Sequence, residues 1–514
     1  MMTAISAAHA WRLGDLVAGV VEPGSAGDRH VSALALDSRA VCRGALFLAC
    51  QGDRTHGLAF AEEAARRGAV AILAETTADW PPEALGLIQA RAGIPVLAVA
   101  QLSRRASALA DRFYGEPSAD LEVIGVTAPV DASSIAHLLA QAMAAEQRCG
   151  LISALGVGFP GDLRPADETA PDALILQAML ADLRARGAGA VALELTPRAV
   201  ADGRVAGVRF SHALPGGPGA TGRIDQDARE PQAAARDLQS SCPPPRWLVL
   251  SLDDPPDDRL FEQLGPEVRL AAFGLDPTAT APDWCDLWVL ARNVEPHPGG
   301  LRIAIASSLG AGELDVGLIG TSNVSHLLAV LAVLLSRGLP LERALRELAV
   351  VRGVPGRMES FGGDGAPLVV VDDAHAPDAL EKALTDLRLH GGRRVITVAG
   401  CGGDRERGVR PLIGAIAERL SDALILTDDN PRGEDGDAII AEILGGVSRP
   451  DKVRVERQRG LAIRLAIALA GTGDAVLVAG KGHETTQDLG ELKVHFSDRA
   501  QVVEALREWR EGHH

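Results

Sequence analysis

The feature that most constrains the fold is a regular alternation of short apolar runs with helix-like segments. Each run is long enough for a buried strand and too short for a helix, and a helical pattern follows at the spacing typical of βαβ units. We therefore predict an α/β protein built on parallel sheets. The runs occupy residues 44–49, 69–73, 94–100, 121–127, 189–194, 368–372, 395–399, 423–427 and 475–479.

A chain of 514 residues exceeds what one hydrophobic core usually fills. We predict three domains, at residues 1–98, 99–348 and 349–514. A Gly- and Pro-rich stretch at residues 211–245 interrupts the α/β pattern, and we predict a loop or partial disorder there.

Composition excludes several classes of function. The net charge of −17 argues against binding to a nucleic acid backbone. Six cysteines lie scattered without metal-ligand spacing, so neither a disulfide framework nor a zinc site is predicted. The chain lacks a signal-peptide pattern and an apolar run long enough to span a membrane, so we predict a cytoplasmic protein.

Lysine is almost absent, since the chain has 47 arginines but only four lysines. The first of them is Lys382, and the others are Lys452, Lys481 and Lys493. A mechanism that needs a lysine amine must therefore find it after residue 381.

Five Gly- or Asp-rich turns stand out in the last third of the chain, mostly at the ends of predicted strands. Any one of them is compatible with ordinary turn chemistry. Their succession at strand ends instead predicts a ligand site at the carboxyl edge of a parallel sheet. They read VPGRME at 354–359, DDAHAPD at 372–378, GCGGDRERG at 400–408, TDDNPR at 427–432 and AGKGHE at 479–484.

Together with LDSR at 36–39, RFYGEPS at 112–118 and HFSDR at 495–499, these turns resemble those of the Mur ligases. The resemblance is to the members that add the third residue to the peptide of the peptidoglycan precursor. It implies a UDP-binding α/β domain, a P-loop-like central α/β domain and a Rossmann-like C-terminal domain that binds the amino acid.

The resemblance also implies binding residues. In the family, Asp-Asn-Pro-Arg marks members that accept meso-diaminopimelate, and a guanidinium group suits the free carboxylate of that substrate. The matching pocket residues are Arg405, Asp429, Asn430, Pro431, Arg432, Gly480 and Glu484. Those matching the UDP-muramoyl-peptide site are Leu36, Ser38, Thr169 and Arg204, and those matching nucleotide contacts are Asn323, Arg357 and Asp372. For Lys481, a strand-end charge and a catalytic role both stay open.

The predicted phosphate loop departs from the family pattern. Residues 126–134 read VTAPVDASS, so Ala128 and Asp131 replace the two glycines, Pro129 removes an N–H donor, and Ala132 replaces the lysine. Arg236 falls where the family has a second lysine, and Glu194 is retained as a vestige of the catalytic residues. These departures predict a degenerate site without ATP, magnesium or any other cofactor or metal.

Three functions follow from these observations. The leading prediction is a pseudo-ligase of peptidoglycan precursor metabolism, not an enzyme, which binds UDP-muramoyl-peptide, diaminopimelate or a protein partner in cell-envelope synthesis. The alternative is an active diaminopimelate-adding ligase that uses ATP and Mg²⁺. A third possibility is a structural module of a multi-protein assembly.

Overall fold

The structure is a computed structural model that describes residues 10–52, 54–127, 131–165, 171–215, 238, 242–254 and 258–512. It divides into two compact units, Met1–Ala272 with Trp284–Asp286 and Phe273–Asp283 with Leu287–His514. The predictions for residues 128–130, Thr169, Arg236 and most of the segment 211–245 lie outside the described residues.

The first unit begins with a four-stranded parallel sheet of order β3-β4-β5-β6. Side chains of β4 alternate between two apolar clusters, with Leu46 and Leu48 in one and Phe47 in the other, so both faces are buried. The strands are β1 (Trp11–Arg12), β2 (His30–Val31), β3 (Ala33–Ala35), β4 (Ala45–Ala49), β5 (Ala71–Thr76) and β6 (Val96–Ala100). The helices are α1 (Leu13–Leu16), α2 (Ala61–Arg66), α3 (Leu85–Ala92), α4 (Leu102–Phe113) and α5 (Pro117–Asp120).

A larger sheet follows in the same unit, in the order β10-β9-β8-β11-β7-β12-β13-β14. The central strands β8, β11, β7, β12 and β13 are parallel, and β9 and β10 form antiparallel pairs at one edge. The strands are β7 (Glu122–Thr127), β8 (Cys149–Ser153), β9 (Gly156–Phe159), β10 (Asp162–Arg164), β11 (Ala190–Glu194), β12 (Phe210–Pro215), β13 (Trp247–Ser251) and β14 (Arg269–Gly274). The helices are α6 (Ala132–Met143), α7 (Ala173–Ala185), α8 (Pro197–Ala201) and α9 (Asp258–Gln263).

The second unit opens with an antiparallel meander of β15 (Leu287–His297), β16 (Gly300–Ser307) and β17 (Gly310–Val316). This meander has no counterpart among the predicted elements, because β16 mixes buried and exposed residues and lacks the continuous apolar run of a parallel strand. Two helices follow, α10 (Ser322–Ser336) and α11 (Leu341–Ala349). Helix α10 is buried from Asn323 to Leu335, as its apolar sequence predicts.

A six-stranded sheet of order β18-β19-β23-β20-β21-β22 completes the second unit. All neighbours are parallel except β18 with β19. The strands are β18 (Glu359–Gly362), β19 (Leu368–Asp372), β20 (Val395–Ala399), β21 (Ala423–Leu426), β22 (Arg454–Val455) and β23 (Ala475–Ala479), and β24 (Thr486–Asp488) pairs with β25 (Lys493–His495). The helices are α12 (Pro377–Leu389), α13 (Arg410–Leu420), α14 (Gly436–Leu444), α15 (Arg459–Leu469) and α16 (Asp498–Gly512).

The α/β class is therefore confirmed, and the apolar runs between residues 368 and 479 form strands at the predicted positions. Strands β19, β23, β20 and β21 lie side by side and parallel, so their carboxyl ends meet at one edge of the sheet. That edge is where open parallel sheets bind ligands. In the described part of the chain, no helix is both long enough and apolar enough to cross a membrane.

Candidate functional site

A cleft of about 610 Å³, open to solvent, lies at the carboxyl edge of the six-stranded sheet. The turns that follow β19, β20, β21 and β23 all contribute to its lining. Six of the seven residues predicted for the amino-acid pocket line it: Arg405, Asp429, Asn430, Arg432, Gly480 and Glu484. Pro431 does not line the cleft, and its carbonyl accepts a hydrogen bond from the Glu434 N–H at 3.0 Å.

Glu484 is held by two donors on one side of the cleft. Lys481 Nζ donates to Glu484 Oε2 at 2.7 Å, and Asn430 Nδ2 donates to the same oxygen at 2.9 Å. Burial acts to raise the pKa of Glu484, but these two hydrogen bonds, together with the charges of Lys481 and His483, outweigh it and keep the pKa below its ordinary value. The Glu484 carboxylate is therefore ionised at neutral pH and available to a cation.

Asp429 and Gly480 approach each other closely behind Glu484. Gly480 has φ of +118°, and a Cβ at this position would lie 2.6 Å from Asp429 Oδ2. Only glycine fits here, because both the backbone conformation and the space exclude a side chain. Burial raises the pKa of Asp429, against the opposing effects of Arg459 and Lys481.

Two guanidinium groups of the cleft lining lie beside Gly402. A Cβ on Gly402 would meet Arg432 Nη1 at 3.0 Å and Arg405 Cδ at 3.5 Å. Arg432 Nη1 donates to the Gly403 carbonyl at 2.7 Å, and its backbone has the left-handed φ of 50° that side-chain-bearing residues rarely adopt. Such backbone strain is typical of residues that clamp a ligand.

Cys401 also lines the cleft. Burial raises the pKa of its thiol to about 12. The thiol stays protonated at neutral pH, so Cys401 is a packing residue and not a nucleophile.

Two buried arginines that sequence reasoning missed support these turns. Arg459 pairs with Asp498 at 2.7 Å, with both side chains fully buried, and donates to the Ala479 carbonyl at 2.8 Å. Arg410 pairs with Glu434 at 2.8 Å and donates to the Gly402 carbonyl at 3.2 Å. No sequence signal separates these two from the other 45 arginines, because their burial depends on helices distant along the chain.

Two of the residues matched to nucleotide contacts, Arg357 and Asp372, lie near each other. Asp372 accepts hydrogen bonds from the Met358 and Ala374 N–H groups at 2.7 and 3.0 Å, and Arg357 pairs with Asp373 at 2.5 Å. Burial, with the adjacent Asp373 charge, raises the pKa of Asp372 to about 7.

Asn323, the third of these residues, lies at the start of α10. It donates to the Ile319 carbonyl at 2.8 Å, and its Oδ1 lies 3.2 Å from His326 Nδ1.

The residues matched to the UDP-muramoyl-peptide site lie in the first unit. Leu36 follows β3 directly and is half-buried, and the buried Ser38 hydroxyl donates to Glu63 Oε2 at 3.0 Å. Arg204 pairs with Asp202 at 3.2 Å.

Glu194 ends strand β11, beside the end of β7 in the first unit. Its Oε2 accepts hydrogen bonds from the Ser133 hydroxyl and the Ala154 N–H, both at 2.7 Å. Ser133 lies in the first turn of α6, so a hydroxyl and a carboxylate meet where β7 leads into that helix. Among the described residues, no three or more His, Cys, Asp or Glu side chains form a metal-binding group.

Comparison with known proteins identifies the family. Residues 30–114 match the model of the Mur ligase family catalytic domain, and residues 356–482 match the Mur ligase glutamate ligase domain. A UDP-N-acetylmuramoyl-L-alanyl-D-glutamate–2,6-diaminopimelate ligase of Alkalilimnicola ehrlichii is 42% identical over 94% of this chain and 96% of its own length. The chain belongs to the Mur ligase family. A ligase of the same description from Pseudomonas aeruginosa is 40% identical over 95% of this Mur ligase and 97% of its own length.

Solved structures agree with this assignment. A structure of a UDP-N-acetylmuramoyl-L-alanyl-D-glutamate–2,6-diaminopimelate ligase superposes with a TM-score of 0.71 at 27% identity, covering 98% of this chain and 100% of the other. A MurF ligase from Thermotoga maritima in complex with ADP has a TM-score of 0.57 at 17% identity, covering 94% and 98%, and shows the shared fold. This Mur ligase therefore has the predicted three-domain Mur ligase architecture.

These relatives overturn four predictions. The pseudo-ligase, the leaning against enzymatic activity, the absence of cofactors and the degenerate phosphate loop are wrong, because relatives 37–42% identical over nearly the whole chain are named as ligases. The sequence does differ from the family pattern at residues 128–132. Ser133 and Glu194 are retained, however, and they form a hydrogen-bonded pair at the ends of the neighbouring strands. The prediction was wrong because it inferred the loss of a whole reaction from substitutions at two glycine and two lysine positions and from one proline.

Proposed function

We propose that this Mur ligase is an ATP-dependent enzyme that joins 2,6-diaminopimelate to UDP-N-acetylmuramoyl-L-alanyl-D-glutamate. The observation that supports this proposal most directly is the cleft, whose lining includes the guanidinium groups of Arg405 and Arg432 together with the carboxylates of Asp429 and Glu484. The relatives named above act on these substrates according to their names, which supports the same chemistry here.

The cleft is chemically suited to an amino acid that carries both an ammonium and a carboxylate at its far end. Arg405 and Arg432 suit the carboxylate, because a planar guanidinium binds both of its oxygens. Glu484 suits the ammonium, because its carboxylate remains charged and its side chain is 39% exposed. If the pocket binds the ammonium and the carboxylate at one end of diaminopimelate, the amine at the other end stays outside the pocket and is free to react.

Magnesium fits the Ser133–Glu194 pair. A hydroxyl and a carboxylate oxygen are ligands that Mg²⁺ prefers, and their separation of 2.7 Å allows both to contact one ion. Ser133 and Glu194 would hold the ion, which would neutralise the polyphosphate of ATP. The γ-phosphoryl group would pass to the substrate carboxylate with ADP as leaving group, and the amine would then displace phosphate as the amide forms. Asn323, Arg357 and Asp372 are the residues we assign to the nucleotide.

The lysine that usually neutralises the polyphosphate of ATP in this family is absent from the predicted phosphate loop. No lysine precedes Lys382, and Ala132 stands at the corresponding position. The neutralising charge must therefore come from arginine side chains, the metal ion and backbone N–H groups, and we assign no phosphate contact to a particular side chain.

The remaining assignments complete the proposal. Leu36, Ser38, Thr169 and Arg204 are proposed to bind the UDP-muramoyl-peptide. The three domains are proposed at residues 1–98, 99–348 and 349–514. Because the reaction consumes ATP, we propose that the enzyme acts in the cytoplasm, and a protein partner in cell-envelope synthesis stays a prediction.

Phosphate release in the presence of ATP, Mg²⁺, UDP-N-acetylmuramoyl-L-alanyl-D-glutamate and meso-diaminopimelate tests this function. We expect release that requires all four components and that falls at least 100-fold in Glu194→Gln, because the metal would lose its charged ligand. Glu146→Gln, at an exposed position of the same unit, is the matched control and should keep wild-type turnover. Absence of phosphate release by the wild-type protein would refute the proposal.

A further inference from the structure

Lys481 is an exception among the four lysines of the chain. Lys382, Lys452 and Lys493 are exposed, whereas the Lys481 side chain is fully buried. A buried ammonium group is costly unless it is paired and hydrogen-bonded. In a chain that uses arginine 47 times, a lysine at this position indicates a requirement for a compact point charge.

The Lys481 ammonium lies at the centre of three polar side chains. Its Nζ donates to Asn430 Oδ1 at 2.9 Å and to Glu484 Oε2 at 2.7 Å, and it lies 3.8 Å from Asp429 Oδ1. All three partners line the cleft. Lys481 therefore contacts three residues whose side chains line the cleft.

These contacts determine how the Asn430 amide is oriented. Its Oδ1 accepts hydrogen bonds from Lys481 Nζ and from the Asp488 N–H, each at 2.9 Å. With the carbonyl facing two donors, the Nδ2 group must face the other way, where it donates to Glu484 Oε2. The orientation of Asn430 thus follows from the position of Lys481.

The same contacts orient Glu484. Both donors reach Oε2, and within the described residues no hydrogen bond is recorded to Oε1. Since the Glu484 side chain is 39% exposed at the cleft, Oε1 is the oxygen available to an incoming cation.

We propose that Lys481 is a positioning residue for the amino-acid substrate, which orients the Glu484 carboxylate and the Asn430 amide to receive the substrate's far ammonium group. The inference deepens the proposed function and rests on it. Lys481 is itself part of the cleft lining, but its side chain is fully buried and its ammonium group is hydrogen-bonded to Asn430 and Glu484, so it acts through these two residues.

Kinetics of Lys481→Met test this role, with Lys493→Met as the control at a 71% exposed lysine. We expect the KM for meso-diaminopimelate to rise at least tenfold in Lys481→Met, with less than twofold change in the KM values for ATP and the UDP-linked substrate. Lys493→Met should match the wild type. An unchanged KM for meso-diaminopimelate, or an equal rise in all three KM values, would overturn the inference.

A double-mutant cycle separates positioning from general damage. If Lys481 acts through Glu484, Lys481→Met should change the KM by less than threefold in a Glu484→Gln background. Fully multiplicative effects of the two changes would contradict the inference. If Lys481→Met does not fold, Lys481→Gln keeps one donor and is used in the same cycle with the same expectations.

The pH dependence of meso-diaminopimelate binding distinguishes positioning from a purely structural role of Lys481, because loss of a structural role would leave this pH dependence unchanged. Without Lys481, the effect of burial on the pKa of Glu484 is opposed only by Asn430 and His483, so this pKa should rise. Affinity for meso-diaminopimelate should then fall more steeply from pH 8 to pH 6 in Lys481→Met than in the wild type. The comparison with the wild type is needed because other charged groups surround Glu484: Asp429, His483, Arg405, Arg432, Arg459 and Asp498. Parallel pH profiles would count against the inference.

Calorimetric titration with meso-diaminopimelate keeps the two proposals distinguishable. If the wild-type protein binds the amino acid but turns nothing over, the proposed function fails, and a tenfold weaker affinity of Lys481→Met still supports the positioning role. If the wild type binds and Lys481→Met binds equally well, the positioning role alone fails. If the wild type neither binds nor turns over the amino acid, both fail.

Discussion

Single side chains in the second unit are held in states that isolated amino acids do not favour. Asp372 is buried and carries a pKa of about 7, and Arg432 keeps a left-handed backbone while its guanidinium is tied to the Gly403 carbonyl. Burial and the adjacent Asp373 charge impose the raised pKa of Asp372, against two backbone N–H donors that favour its ionised form. The Arg432 backbone is held by its N–H, which donates to the Asp488 carbonyl. Strain of this kind is stored where a ligand is to be held.

The raised pKa of Asp372 makes a prediction about stability. Between its ordinary pKa near 4 and its folded value near 7, the folded protein holds a proton that the unfolded chain releases, so stability falls as the pH rises through this window. In Asp372→Asn this fall should be smaller, by a few kcal/mol at most. The measurement is the urea midpoint of unfolding at pH 5 and pH 8.

Asp451→Asn, at an exposed position, is the control for this experiment and should reproduce the wild-type difference between the two pH values. An equal loss of stability in Asp372→Asn and the wild type would show that Asp372 does not titrate in the predicted range.

Helices α15 and α16 are joined by ion pairs that differ in burial: Arg459–Asp498, and Arg464 with both Glu504 and Glu508. The Arg459–Asp498 pair is fully buried, whereas Arg464 and Glu504 are 38% and 43% exposed at a separation of 2.8 Å. Removing one partner of a buried pair leaves an uncompensated charge, while an exposed pair contributes little. The same two helices therefore provide both a test and its control.

We expect Asp498→Asn to lower the free energy of unfolding by about 3–5 kcal/mol, because Arg459 would keep its charge without a carboxylate partner. Glu504→Gln should cost less than about 1 kcal/mol. Urea denaturation of both variants, followed by circular dichroism, measures the difference. Similar costs for the two substitutions would contradict this account.

How far the elements follow from the sequence depends on their burial. The parallel strands β19, β20, β21 and β23 were predictable, because strands covered on both faces are continuous apolar runs. The meander β15 to β17 was not, since its partly exposed strands lack that pattern. The turns of the cleft were predictable from Gly, Asp and Asn at strand ends, but the buried partners Arg410 and Arg459 depend on tertiary contacts.

For the whole molecule, the distribution of lysines predicts a pattern of chemical labelling. Acetylation of the folded protein should modify Lys382, Lys452 and Lys493, and it should spare Lys481, whose side chain is fully buried. Mass spectrometry of digests locates the labels. Unfolding in urea should make Lys481 reactive at a rate similar to Lys493, and rapid labelling of Lys481 in the folded protein would contradict the structure.

The pseudo-ligase prediction was overturned by similarity over the whole chain and not by any single motif. Residues 126–134 predict a failed phosphate site when read alone, yet relatives 42% and 40% identical across more than nine-tenths of the chain are named as ligases. A single motif gives evidence about one contact with a substrate, whereas sequence identity over the whole chain gives evidence about all of the binding sites together.

The groups that face the cleft stand on turns, and the apolar clusters beneath them are built from the strands and helices. The cleft and the core nevertheless share residues, because Cys401 lines the cleft and belongs to an apolar cluster, and the buried Asp429 and Lys481 lie on the lining turns. A change in the turns at 427–432 or 479–484 would therefore affect the packing of the second unit as well as the shape of the cleft, so the two properties cannot vary independently.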